Sequence, residues 1–125
     1  MFHLAIPVKD IAESVRFYSE VLRCPVGRIY PGSAIIDFGG HQLVLHLSDK
    51  YDPDPMMYPR HFGIIFPKPE FDTLWENLKE SSYVWQKRMV RHDGKAGEHE
   101  TFFLCDPSNN LIELKCYADP QAILS

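Results

Sequence analysis

The feature that most constrains this chain is a repeat in its pattern of strands and helices. The segment FHLAIPV is short and apolar, as a strand is, and DIAESVRFYSEVL follows with Ile11, Val15, Tyr18 and Leu22 at helical spacing. Asp10 suits the N-cap of that helix, Glu13 stands three residues on, and the Cys24-Pro25 step is expected to end it. Short strands come next, GRIY, AIIDF and HQLVLHL, the last two joined by Gly39-Gly40, a hairpin signal. The proline- and acid-rich stretch that follows reads as a linker over 51–59. Then the pattern restarts: RHFGIIF as a strand and PEFDTLWENLKE as a helix, with Pro69 near its start and Phe71, Leu74, Trp75 and Leu78 on one face. SYVWQKRMVR reads as a strand pair or one bent strand, DGKAGEHE as a loop, and TFFLCD and NLIELKCY as strands. Both halves are strand, helix, then three strands, a period of about fifty to sixty residues. The expected fold is therefore α+β, with two tandem βαβββ modules at 1–50 and 60–118 and a tail at 119–125. Together they form one structural domain, a curved, open mixed sheet around a cavity.

Aligning the halves brings polar residues into register. HLAIPVKDIAESVRFYSEVL over HFGIIFPKPEFDTLWENLKE puts His3 on His61, 58 residues on, and FGGHQLVLHL over CDPSNNLIEL puts His46 on Glu113, 67 residues on. The longer second offset is expected to come from extra residues in the loop around 93–98. Because alternate residues of a strand share a face, His3 lies with Ala5, His46 with Val44 and Gln42, His61 with Gly63, and Glu113 with Leu111 and Lys115. Glu113 is the odd member of its strand. Burying an unpaired carboxylate within Leu-Ile-Glu-Leu costs more than the strand recovers, so it must reach solvent or meet a positive charge. Two imidazoles and a carboxylate make a facial site with open positions, which suits Fe(II) and also Mn(II) or other divalent ions. A bound dication would pair the carboxylate and require neutral imidazoles.

Other residues are weaker candidates. His46 is either a fourth ligand or a general acid/base titrating near neutrality. Gln42, on the His46 face, either orients a ligand or hydrogen-bonds substrate, or with His41 is a plain turn residue. The loop RHDGKAGEHE, residues 91–100, is a lid or a solvated loop, with Arg91, His99 and Glu100 as its polar contributors to substrate. Tyr117 either donates a proton to substrate or caps the core.

The totals exclude several classes. In 125 residues the formal net charge is −4 with no basic run, which argues against nucleic acid as a partner. No window nears 18 consecutive apolar residues, so no membrane span is expected, and MFHLAIPVKD does not read as a signal peptide. Three cysteines without CxxC spacing point to reduced thiols in a cytoplasmic protein.

Three stretches carry a family resemblance: HLAIPVKDIAESVRFYSEVL, HFGIIF and FFLCDPSNNLIELK. They resemble the vicinal oxygen chelate superfamily, also called the glyoxalase, bleomycin-resistance and extradiol dioxygenase superfamily. The last stretch is similar to that family's Asp-Pro-x-Gly-Asn-x-Ile-Glu-Leu pattern, with Asn109 where glycine is usual. The likeness runs over about residues 2 to 117, and DFGGHQLVLH is closest to small predicted extradiol-type dioxygenases. The resemblance implies metal ligands at His3, His61 and Glu113. It places the family's fourth ligand position on His46, where glyoxalases carry glutamate. It implies a metal-dependent, dioxygenase-like oxidoreductase acting on a small catechol-like substrate, with Fe(II) favoured over Mn, Ni or Zn, and a homodimer. The alternatives are a glyoxalase-like lyase or isomerase, or a non-catalytic drug-binding protein.

Overall fold

The computed structural model describes residues 1–50 and 58–125, so most of the expected linker lies outside the described residues. The chain divides into two compact units, residues 1–59 with 106–110 and residues 60–105 with 111–125. Each is a βαβββ unit whose four-stranded mixed sheet pairs its first strand in parallel with its last, so the α+β class and the tandem repeat hold.

The first unit comprises β1 (His3–Val8), α1 (Ile11–Arg16), β2 (Val26–Tyr30), β3 (Ser33–Phe38) and β4 (His41–Leu47), in sheet order β1-β4-β3-β2. Asp10 caps α1 by accepting the Glu13 N–H at 2.7 Å. The helix is shorter than its periodicity predicts. After Arg16 it widens into a π-helical turn, Phe17–Val21, closed by the Leu22 N–H on the Phe17 carbonyl at 3.2 Å. Arg23 then takes a left-handed φ of 60°, which ends the helix before the Cys24-Pro25 step. The wider turn lets the consecutive Phe17 and Tyr18 both enter the core, at 2% and 0% exposed, where helical spacing picks only Tyr18. Gly39 and Gly40 both have positive φ, as the tight hairpin between β3 and β4 requires, and Asp37 Oδ1 accepts the Gly40 N–H at 2.8 Å.

The turn at residues 106–110 belongs to this unit although the sequence places it in the second module. Asp106 is its centre. Its Oδ1 accepts the N–H groups of Ser108 and Asn110 at 2.8 and 2.9 Å, and its Oδ2 accepts the Tyr18 hydroxyl at 2.7 Å and Asn110 Nδ2 at 2.8 Å. Ser108 Oγ accepts the Lys9 N–H and Asn110 Nδ2 donates to the Pro7 carbonyl. Asn109 has φ 63°, a left-handed position that asparagine tolerates better than other non-glycine residues, which accounts for its standing in glycine's place.

The second unit comprises β5 (Phe62–Ile65), α2 (Lys68–Leu78), β6 (Val84–Arg91), β7 (His99–Cys105) and β8 (Leu111–Tyr117), in order β5-β8-β7-β6, followed by a 3-10 turn at Pro120–Ile123. The stretch SYVWQKRMVR holds a single strand, bent at two register shifts. The expected loop is shorter than read: β6 runs to Arg91 and β7 starts at His99, and these two residues are ladder partners. The connection tightens on itself through the Gly94 N–H on Glu98 Oε1 at 2.7 Å and the Lys95 N–H on the His92 carbonyl at 2.9 Å. It is a hairpin turn, with Arg91 and His99 inside its strands.

Helix α2 sets the two faces of this sheet. Phe71 and Trp75 pack on Phe102 with ring centroids 5.3 and 5.0 Å apart. Strand alternation and the β7–β8 register then put Glu100, Phe102, Leu104, Ile112, Leu114 and Cys116 on the helix side. His99, Thr101, Phe103, Glu113, Lys115 and Tyr117 are left on the other.

Candidate functional site

The face of the second sheet opposite α2 holds the one pair of predicted ligands that the structure brings into contact. His61 stands just before β5 and Glu113 in β8, with His61 Nε2 3.0 Å from Glu113 Oε2 and the side chains 29% and 12% exposed. The other carboxylate oxygen, Oε1, accepts the Thr101 hydroxyl at 2.7 Å. The His61 ring meets the Phe103 ring edge-on at 5.2 Å, and Trp85 meets Phe103 at 5.6 Å, so the pair rests against an aromatic wall. The charge in Leu-Ile-Glu-Leu is thus answered within this unit by an imidazole and a hydroxyl, on a half-open face.

The approach of β5 to β8 is what brings His61 to the carboxylate. A Cβ built on Gly63 falls 1.6 Å from the Glu113 carbonyl oxygen, so only glycine allows the two strands to lie this close.

The first unit repeats the arrangement with different chemistry. His3 Nδ1 is 2.7 Å from Gln42 Oε1, its ladder partner on β4. An amide oxygen can only accept, so Nδ1 donates in this contact and Nε2 is the ring nitrogen not engaged by it. His41 is turned to the backbone, its Nδ1 accepting the Phe2 N–H at 3.0 Å.

The strand registers correct the alignment of His46 with Glu113. Ala5 pairs with Val44, and Gly63, the repeat equivalent of Ala5, pairs with Glu113. Val44 is therefore the counterpart of Glu113, and His46, the partner of Pro7, is the counterpart of Lys115, the partner of Ile65. A slip of two residues keeps every side chain on its face, which is why alternation alone did not reveal it. The counterpart of Glu113 in the first unit is thus an aliphatic side chain. His46 lies four residues along β4 from Gln42, roughly 13 Å from the level of His3. Tyr117 lies equally far from Glu113 along β8, roughly 13 Å, too far to hand a proton to a group bound at the carboxylate.

Glu100 is directed elsewhere. It faces α2, where Arg88 Nε donates to its Oε2 at 2.5 Å and Lys68 Nζ to its Oε1 at 3.2 Å, while Arg88 and Lys68 also hold Asp72. Its hydrogen bonds to Arg88 and then Lys68 hold its carboxyl below the usual carboxylate range, against the upward pull of burial. It is part of a structural ion network on the helix side. Arg91 and His99, by contrast, lie across the ladder from one another on the β6–β7 hairpin.

Among the described residues no group of three or more His, Cys, Asp or Glu side chains gathers in a metal-holding arrangement. The His61–Glu113 pair is nonetheless compatible with an ion. Two ligands each about 2.1 Å from a metal and at right angles are roughly 3.0 Å apart, the separation seen here. Thr101 was not legible as a site residue, because its hydroxyl reaches Glu113 diagonally across a β7–β8 register that the sequence does not specify. A threonine amid Phe102, Phe103 and Leu104 was its only signal.

Residues 1–114 match the family model described as Glyoxalase/Bleomycin resistance protein/Dioxygenase superfamily. A crystal structure of a glyoxalase/bleomycin resistance protein/dioxygenase from Alicyclobacillus acidocaldarius is 47% identical, covers 98% of this chain and 95% of its own, and superposes with a TM-score of 0.89. A virulence protein of Salmonella typhimurium is 28% identical over 92% of this chain and 82% of its own length. The fold is shared with a fosfomycin resistance protein, FosX, from Listeria monocytogenes, at 18% identity and a TM-score of 0.76 over 99% of this chain and 97% of that one.

Proposed function

Because this chain belongs to the Glyoxalase/Bleomycin resistance protein/Dioxygenase superfamily, we propose that it is a divalent-metal-dependent enzyme acting on a small, oxygen-chelating substrate, with His61, Glu113 and His3 as ligands. The observation that carries this reading is the 3.0 Å approach of His61 Nε2 to Glu113 Oε2, with Thr101 holding the second carboxylate oxygen. His3 joins the set by its repeat equivalence to His61 and by the hydrogen bond to Gln42, which takes up Nδ1 and leaves Nε2 as the nitrogen to meet an ion. Val44 supplies no fourth donor, so a substrate's paired oxygens have positions to occupy. The ion, when bound, polarises those oxygens and fixes their geometry.

Two histidines and one carboxylate are the donor set of non-haem iron oxygenases, so the favoured reaction is dioxygenase-like ring cleavage of a catechol-like diol with Fe(II). A lyase or isomerase reaction with Mn, Ni or Zn is the second reading. It is weakened by valine standing where glyoxalases carry glutamate. On this reading the protein works as a cytoplasmic homodimer, a state that light scattering on the purified protein measures directly. Among the described residues no helix is long and apolar enough to cross a membrane.

The test is elemental mass spectrometry on protein purified without chelator or affinity-tag histidines, beside the His61→Ala variant. The expected result is near-stoichiometric iron that the variant loses, with oxygen uptake on adding catechols. Mn, Ni or Zn in its place overturns the dioxygenase reading while keeping the metal site. No ion after anaerobic reconstitution with Fe, Mn, Ni and Zn in turn overturns the metal-enzyme reading.

A further inference from the structure

Cations on the two faces of the second sheet differ in their partners. On the α2 side Lys68, Lys79 and Arg88 each hold a carboxylate within 4 Å. On the opposite face Lys115 and Arg91 hold none among the described residues. Lys115 Nζ lies 5.2 Å over the Tyr117 ring, and that ring lies against His99 at 4.9 Å with a tilt of 31°. His99 donates from Nδ1 to the Gly97 carbonyl at 2.9 Å, which turns its Nε2 edge away from the backbone. Arg91, His99 and Tyr117 are partners across three adjacent strands, and Lys115 is two residues from Tyr117 on the same face. At a strand spacing of about 4.8 Å and a rise of about 3.3 Å, the four residues span roughly 12 Å, within reach of two long cationic side chains converging on one group. Three of the neighbouring acids are otherwise engaged: Glu98 binds the Gly94 N–H, Asp119 caps the 3-10 turn, and Glu113 is held by Thr101 and His61.

We propose that Arg91 and Lys115, backed by His99 and Tyr117, form an anion subsite that receives a carboxylate or phosphate at the far end of the substrate. This rests on the metal-site reading for its distance. Lys115 and Tyr117 lie roughly 7 and 13 Å along β8 from Glu113, so the substrate carries its chelating oxygens and its anionic group at opposite ends of a small, elongated molecule. Charge-assisted hydrogen bonds to two cations hold the anion, and the Tyr117 and His99 rings exclude water from one side.

Two measurements separate this subsite from the metal. In the first, metal-free protein is titrated with inorganic phosphate and followed by NMR. Saturable shifts of the His99 and Tyr117 signals are expected, and they vanish in an Arg91→Gln, Lys115→Met double variant that removes both charges. Phosphate that moves neither signal, or moves both equally in the variant, overturns the subsite. In the second, metal-loaded protein is offered catechol and 3,4-dihydroxyphenylacetate, which share a chelating end and differ in the carboxylate. The carboxylate is expected to tighten binding about tenfold or more, and the double variant to lose that advantage while binding catechol as before. Equal binding of the two by the native protein overturns the subsite and leaves the metal reading standing. Protein that takes up no metal refutes the metal reading instead, and the phosphate titration then decides the subsite by itself.

Discussion

Replacing Tyr18 by phenylalanine probes the polar knot that holds the 106–110 turn in the first unit. The substitution keeps the ring, which is fully buried and packs edge-on against Phe17 at 5.0 Å, and removes only the hydroxyl that donates to Asp106 Oδ2 at 2.7 Å. Asp106 is 2% exposed, so no solvent takes the lost donor's place, and Oδ2 keeps Asn110 Nδ2 alone. A hydrogen bond to a buried charged acceptor contributes about 1.5–3 kcal/mol. A loss of about 2 kcal/mol corresponds to roughly 5–10 °C in the melting midpoint for a chain of this size. The pH dependence gives a second handle. Burial raises the Asp106 carboxyl above its ordinary 3.8, while the Tyr18 and Asn110 hydrogen bonds pull it down. The folded state thus binds this proton more readily than the unfolded one. Stability from this group is greatest below the ordinary value, falls as pH rises through the raised folded value, and is level above it. Without Tyr18 one downward pull is gone and the carboxyl rises further. The penalty of the substitution is therefore full at pH 7 and shrinks in acid, where a protonated Asp106 has less need of the donor. Urea denaturation of both proteins at pH 7 and at pH 4 measures this, the difference between them cancelling other carboxylates. A penalty under about 0.5 kcal/mol at pH 7, within the range of ordinary surface changes, refutes the reasoning. So does one that persists undiminished in acid.

Two further outcomes follow from the second unit. Thr101→Val frees Glu113 Oε1 of its hydrogen bond and is expected to weaken metal binding about 10–100-fold, read by chelator competition, while Thr101→Ser retains most of it. Gly63→Ala drives a methyl into the Glu113 carbonyl oxygen and must push β5 off β8. The expected loss is about 3 kcal/mol or more in denaturant, together with the His61–Glu113 contact, and an unchanged midpoint contradicts the close approach.

Much of this protein is decided by local sequence. The strand-helix-strand-strand-strand repeat, the Asp10 cap, the double-glycine hairpin and the buried stripe of α2 depend on periodicity and on single-residue conformational preferences, which act over a few residues. The same local rules put His3 and Glu113 on defined strand faces and His61 at the entry to β5. What they do not determine is which residue lies beside which on the next strand, because period-two alternation is blind to a slip of two. Tertiary pairing therefore decided that Val44, not His46, matches Glu113. It likewise brought Thr101 to the carboxylate and turned Glu100 toward Arg88. The π-helical turn has the same origin. Two adjacent aromatic residues both gain more by entering the core than a regular helix recovers, and that gain exists only once there is a core to enter.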